Sequence, residues 1–274
     1  MPGRMDFRCF CYYDQRVARL MSSIGVFGAK GGVGTSLVCT NLALALSRTG
    51  SCLLIDLNPV IGCDDLLLDL QAKRSWLDLL PVTGELKRTH LDRACAVHPT
   101  GLQCLTAPGM QPEESGWKKL QLLIAEMDRF YRWILFDLPV HSGRSYLEGL
   151  LAAPGYRLLV STPDPAALRA AKRMLDDPGV RIRSRTGLVL NQISTRHPAS
   201  AQTVASSLGI ELLGVTPTDP RSIGYQVNFG KACVEDRRSP FGRAVLRLAE
   251  RLNRIPFEPK STQPKPEVYL EDGG

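Results

Sequence analysis

Between residues 28 and 36 the chain reads Gly28-Ala29-Lys30-Gly31-Gly32-Val33-Gly34-Thr35-Ser36. An apolar run, Ser23–Ala29, leads into it, and a helical pattern, Thr35–Arg48, leads out. A strand, a glycine-rich turn and a helix start together make an anion site. Glycines let backbone N–H groups converge on phosphate oxygens, and the helix dipole adds partial positive charge. The ordinary phosphate-loop pattern is G-x-x-x-x-G-K-[ST]. Here the spacing puts Thr35 where the lysine belongs, and Ser36 remains as the hydroxyl expected to ligate Mg²⁺. The loop does hold a lysine, but early, at Lys30.

Such a loop works only if a sheet fixes its two ends. Short apolar runs recur at Cys52–Asp56, Leu102–Thr106, Trp133–Asp137, Arg157–Thr162 and Leu188–Asn191. Helical patterns lie between them. Trp117–Phe130 carries Leu120, Leu123, Ile124 and Met127 on one face, and Phe241–Arg254 carries Val245, Leu248 and Leu252. Strands that are apolar throughout are buried on both faces, as a parallel sheet covered by helices requires. The alternation predicts an α/β fold, a single doubly wound, mostly parallel sheet with helices on both faces. Ligands of such sheets bind at the carboxyl ends of strands.

Composition narrows the class. The chain has 274 residues, 44% apolar and 22% charged, which excludes wholesale disorder. It contains no apolar run of ~18 residues, and the opening stretch lacks a secretory h-region, so a cytoplasmic protein is expected. Eight cysteines are present with no C-x-x-C spacing, and the four histidines are scattered. Zinc and iron–sulfur readings are therefore weak, and Cys39 and Cys52 read as small core residues. The net charge of +7 divides into +1 for residues 1–137 (15 basic, 14 acidic) and +6 for residues 138–274 (19 basic, 13 acidic). That asymmetry suits either a solvated face or an acidic partner such as DNA or an anionic membrane. The expected organisation is an N-terminal extension over 1–21, the nucleotide-binding domain over 22–255, and a Pro-rich flexible tail over 256–274.

Lys30-Gly31-Gly32-Val33-Gly34 resembles the deviant phosphate loop of the MinD/ParA ATPases. The resemblance implies that Lys30 reaches across a homodimer interface to the partner's nucleotide. It extends to Asp56-Leu57-Asn58-Pro59, which is similar to the family's first switch, and to Asp137-Leu138-Pro139, similar to its second. By that likeness Asp56 and Asp137 belong to the Mg²⁺ shell, and Asn58 stands where the family has the aspartate most tied to hydrolysis. Asn191 would read adenine, and Gly214–Asp219 resembles the adenine loop, with Pro217 and Asp219 at its fixed positions. The implied ligands are ATP and Mg²⁺, held by Gly31, Gly32, Val33, Gly34, Thr35 and Ser36.

Within that superfamily the chain resembles the TadZ/CpaE branch of tight-adherence pilus assembly. That branch also commonly lacks the second loop lysine. The stretch Val60–Leu70, the short helix Ser75–Leu80, the third strand within Gly101–Pro108 and the loop Ser161–Arg169 carry this likeness. It implies a dimeric scaffold at a cell pole, working with pilus or secretion proteins. Two charges that favour hydrolysis are missing. Losing one such phosphate donor costs ~10²–10³ in rate. Neutral Asn58 orients water less strongly than a carboxylate would, although Asp64 or Asp65 lies close in sequence. Nucleotide binding with weak or absent hydrolysis is expected.

Three alternatives stand beside this reading. A MinD-type ATPase would end in a basic membrane helix, but Glu267, Glu271 and Asp272 in the tail oppose an anionic surface. A ParA-type ATPase would bind DNA weakly through arginines such as Arg181, Arg183, Arg185, Arg237, Arg238, Arg243, Arg247, Arg251 and Arg254. A reductase like the nitrogenase iron protein would need cluster cysteines near the second switch, and none lies between Cys104 and Cys233.

Overall fold

The computed structural model describes residues 20–139, 150–151, 154–177, 182–193 and 200–255. In chain order the elements are β1 Leu20–Gly28, α1 Thr35–Ser47, β2 Cys52–Asp56, α2 Asp64–Leu67, α3 Arg88–Ala94, β3 Ala96–Val97 and β4 Gln103–Leu105. Then come α4 Glu114–Met127, β5 Trp133–Asp137, β6 Pro154–Ser161, α5 Pro165–Asp176, β7 Thr186–Ile193, α6 Ala201–Leu208, β8 Glu211–Pro217, α7 Pro220–Phe229 and α8 Pro240–Asn253. A 3-10 helix, Trp76–Val82, bridges α2 and α3.

The eight strands form one sheet in the order β3-β4-β2-β5-β1-β6-β7-β8. Every pairing is parallel except that of β3 with β4. The expected doubly wound sheet is present. The first switch of strand order falls around β1, so the glycine loop leaves the centre of the sheet.

Burial on both faces is visible residue by residue. Ile24 and Val26 of β1 face one core together with Leu54 of β2, whereas Phe27, Leu53 and Ile55 face the other. The first core is closed by α1 and α8 through Val38, Leu42, Phe241, Val245 and Leu248. The second is closed by α4, α5 and α6 through Trp117, Leu120, Met174 and Leu208. Val38 to Leu46 of α1 are buried without a break, so the helix behind the loop is held on all sides. Its one amide in that stretch is satisfied, since Asn41 donates to Gln226 Oε1 at 2.7 Å and accepts from Val234 N at 3.0 Å.

Several boundaries differ from the sequence reading. β1 starts at Leu20, where it pairs with Pro154, three residues before the apolar run Ser23–Ala29. The segment expected as the third strand is the fourth. Ala96–Val97 forms a two-residue antiparallel strand before it, too short to leave a period in the sequence. The helix expected from Trp117 begins at Glu114, and the short helix after Ser75 is 3-10, with Asp78 accepting from Ser75 N at 2.8 Å. Cys39 and Cys52 are buried as expected. The readings for residues 1–19 and for the tail from 256 lie outside the described residues.

A glycine nest facing three buried carboxylates

The loop turns through Gly32 and Gly34, whose φ values of 79° and 88° belong to the left-handed region that favours glycine. A Cβ added at Gly31 or Gly32 would meet nothing within 4 Å, so this part of the turn is exposed and uncrowded. The N-terminus of α1 follows with Gly34 as its cap residue, no side-chain cap and no acidic residue in its first turn. Its N–H groups are thus left for a ligand, as an anion site requires. Thr35 cannot reach forward as a lysine would. Its Oγ1 packs over Gly28, where an added Cβ would lie 2.4 Å from it.

Lys30 ends beside an acid from another loop. Its Nζ is 3.9 Å from Asp164 Oδ2, and both side chains are close to half exposed. Hydrogen bonds from Thr162 Oγ1 and the Ala167 N–H hold Asp164 below the usual carboxylate range. An exposed pair of this kind contributes ~1 kcal/mol or less, so the lysine is free to change partners.

Asn191 is buried and braces the loop. Its Nδ2 donates to the Val33 carbonyl at 2.7 Å, and its Oδ1 accepts from Thr216 Oγ1 at 2.6 Å and from Gln192 N at 2.8 Å. Asp219 caps α7 through Ser222 N and accepts from Ser239 Oγ at 2.6 Å. Pro217 is the last residue of β8.

At the other side of the nest, β2 and β5 run parallel in register, and their last residues, Asp56 and Asp137, are partners. Asp56 accepts from Asn58 N at 2.9 Å and from Asp64 N at 3.2 Å. The loop after β2 therefore folds back over Asp56. Gly62 permits this, because a Cβ there would fall 2.4 Å from Asp56 Oδ2. The fold-back carries Asp64, the first residue of α2, into the same cluster. One carboxylate oxygen from each of Asp56, Asp64 and Asp137 lies within 4.8 Å of the others, and all three residues are buried. Asn58 enters through its backbone N–H, which supports Asp56. Of the two neighbouring acids, Asp64 is fully buried whereas Asp65 is half-buried.

Crowding like charges out of water favours the neutral acid. Burial pushes Asp56 up to about 6, although the Asn58 and Asp64 N–H groups oppose the rise. Burial and the Asp56 charge push Asp137 up to about 8, against hydrogen bonds from Ser36 and Asp64. Asp64 is raised well above its ordinary value by burial, then by Asp137 and Asp56. The donor set suits a hard divalent cation. It is all oxygen, Ser36 stands beside Asp137, and Asp64 Oδ1, Asp64 Oδ2 and Asp137 Oδ1 are buried with no hydrogen-bond donor outside the carboxyl groups. A cleft of about 660 Å³ elsewhere, lined by Leu168, Arg169, Lys172 and Ser207 among others, includes none of these residues.

Residues 21–180 match the family described as cellulose biosynthesis protein BcsQ. The chain belongs to the BcsQ family. Among curated proteins, this BcsQ-family chain is 25% identical over 246 residues to the septum site-determining protein MinD of Synechocystis, covering 85% of the chain and 91% of that protein. Among solved structures it is similar to a ParA family ATPase from Chlorobium tepidum, with a TM-score of 0.72, 20% identity and coverage of 84% and 97%. It is also similar to MinD of Pyrococcus horikoshii complexed with Mg-ADP, with a TM-score of 0.67, 20% identity and coverage of 85% and 96%. The fold is that of the MinD and ParA ATPases, as the loop and switch motifs implied. Among the described residues no helix is long and apolar enough to cross a membrane.

Proposed function

We propose that this BcsQ-family chain is a Mg-ATP-dependent dimerising switch with slow hydrolysis. Its work is to position a membrane-bound machine that exports a polymer. The observation that carries the reading is the pairing of an open glycine nest with a carboxylate cluster, in a loop whose lysine is replaced by Thr35. The nest and helix terminus supply phosphate affinity through backbone groups alone. Mg²⁺ would be held by Ser36, Asp56 and Asp137 and would neutralise phosphate charge. Without a lysine over the β- and γ-phosphates, charge developing in phosphoryl transfer has one donor fewer, so binding outlasts turnover.

Lys30 supports the dimer. It stands at the rim and is held only by an exposed partner, so a second protomer's phosphates would outcompete Asp164. The family match favours a cellulose-synthesising complex as the client. The likeness of the switch region to TadZ/CpaE proteins favours the same kind of role, a cytoplasmic scaffold beside an envelope machine, in pilus or secretion assembly at a cell pole. Non-specific DNA binding is less favoured. Arg183 is paired with Asp176, Arg251 with Glu211 at 2.6 Å, and Arg243 donates to the Arg237 and Arg238 carbonyls.

Sedimentation of the full chain with and without Mg-ATP tests the reading, run beside calorimetry and a phosphate-release assay. A dimer that forms with Mg-ATP and persists over many minutes is expected. A chain that stays monomeric at millimolar nucleotide, or that binds none, would refute it.

A further inference from the structure

We propose that Asp56, Asp64 and Asp137 form a divalent-cation site that fills before any nucleotide arrives. This goes beyond the nucleotide reading, because phosphate-loop sites ordinarily bind Mg²⁺ through one or two carboxylates together with substrate phosphates. Here a third carboxylate is built in.

Asp64 is the distinctive member. It is fully buried, and neither of its carboxylate oxygens has a hydrogen-bond partner outside the carboxylate cluster. The same holds for Oδ1 of Asp137. A carboxylate removed from water with empty lone pairs is costly unless a charge answers it. Among the described residues, no lysine or arginine forms an ion pair with any of the three. The position from which a phosphate-loop lysine would approach is Thr35, and its hydroxyl lies against Gly28.

The placement is also built, not incidental. Asp64 N donates to Asp56 Oδ2 at 3.2 Å, and the absence of a side chain at Gly62 lets the loop close to that distance. Asp64 and Asp137 are close enough to share a hydrogen bond, so in the metal-free chain a proton holds the place a cation would take, and no donor outside the carboxylates reaches either oxygen of Asp64. Oxygens gathered within 4.8 Å fit around one ion with metal–oxygen distances of ~2.0–2.6 Å, the range spanned by Mg²⁺ and Ca²⁺. Such an ion orders the loop between β2 and α2 and presents a double positive charge to arriving phosphates. It stands in for the charge that Thr35 removes.

The test uses the nucleotide-free full chain titrated with MnCl₂ and followed by the loss of the free Mn²⁺ spin-resonance signal. Thermal melts with MgCl₂ or CaCl₂ run beside it. One Mn²⁺ per chain and a raised melting temperature are expected without nucleotide. Asp64→Asn should weaken Mn²⁺ by at least ~10-fold. Asp64→Ala should lose the cation response as well, and the parent titration decides the question even if a variant fails to fold. No Mn²⁺ bound without nucleotide, or unchanged affinity in Asp64→Asn, would overturn the proposal. Adding ADP separates the two readings. Mn²⁺ that binds only with ADP leaves nucleotide binding standing and removes this inference. Mn²⁺ that binds alone, with no response to ADP, does the reverse.

Discussion

The side chain of Asn191, at the end of β7, donates to the Val33 carbonyl at 2.7 Å and so bolts the glycine loop to the neighbouring strands. An added Cβ at Gly34 would sit 2.4 Å from the same amide nitrogen, which shows how closely the two segments approach. Asn191→Ala strips Val33 O and Thr216 Oγ1 of a buried partner. Leaving buried groups unsatisfied costs about 1–3 kcal/mol, and we expect urea denaturation to show a loss of that size. ADP affinity should fall as well, because the nest is no longer held. A variant with full stability and full affinity would refute the brace.

Lys30 makes only an exposed contact with Asp164 in the single chain. Lys30→Ala should therefore change unfolding free energy by less than ~1 kcal/mol. The same variant should lose most of the Mg-ATP-dependent dimer in sedimentation. Equal dimer fractions in variant and parent would sink the assignment.

Turnover should respond chiefly to the missing lysine. Thr35→Lys restores a positive charge at the phosphates, and its gain in phosphate release should approach ~10²–10³-fold. Asn58→Asp should add less, because Asp64 already brings a third carboxylate to the cluster. Ser36→Ala should abolish whatever turnover the parent has. Brisk hydrolysis by the parent, unaffected by Ser36→Ala, would contradict the site as built.

Acid stability should depend on Asp219. Burial pushes this carboxyl up, but hydrogen bonds from Ser239 and Ser222 more than offset it, and the group lies below its ordinary value of 3.8. A depressed carboxylate stabilises the fold above its unfolded value, and that stability is lost as pH falls through the folded value. Ser239 also caps α8 by accepting from Gly242 N at 2.8 Å. We expect Ser239→Ala to cost about 1–2 kcal/mol at neutral pH, as lost helix caps do. Its acid unfolding midpoint, followed by circular dichroism from pH 7 to pH 2, should move to higher pH. An unmoved midpoint would show that the Ser239 hydroxyl does not hold the Asp219 charge.

The amino-acid sequence by itself determined the glycine nest, the run of buried strands and the α/β class, because these rest on local spacing. Gly31, Gly32 and Gly34 mark a turn whatever surrounds them, and a strand such as Leu53-Leu54-Ile55 states its own burial on two faces. Tertiary structure decided what meets at the nest. Asp56 and Asp137 are 81 residues apart, and only the strand order, with β5 between β2 and β1, puts them side by side. The sequence offered Asp64 and Asp65 alike. The fold-back at Gly62, with Asp64 N on Asp56, buried the first and left the second half in solvent. Asn191 and Asp219 were legible as polar residues at strand ends, but their partners, Val33 and Ser239, come from distant segments. Local pattern carries the backbone's path, whereas the partners of a buried polar group depend on which strands become neighbours, and no periodicity records that.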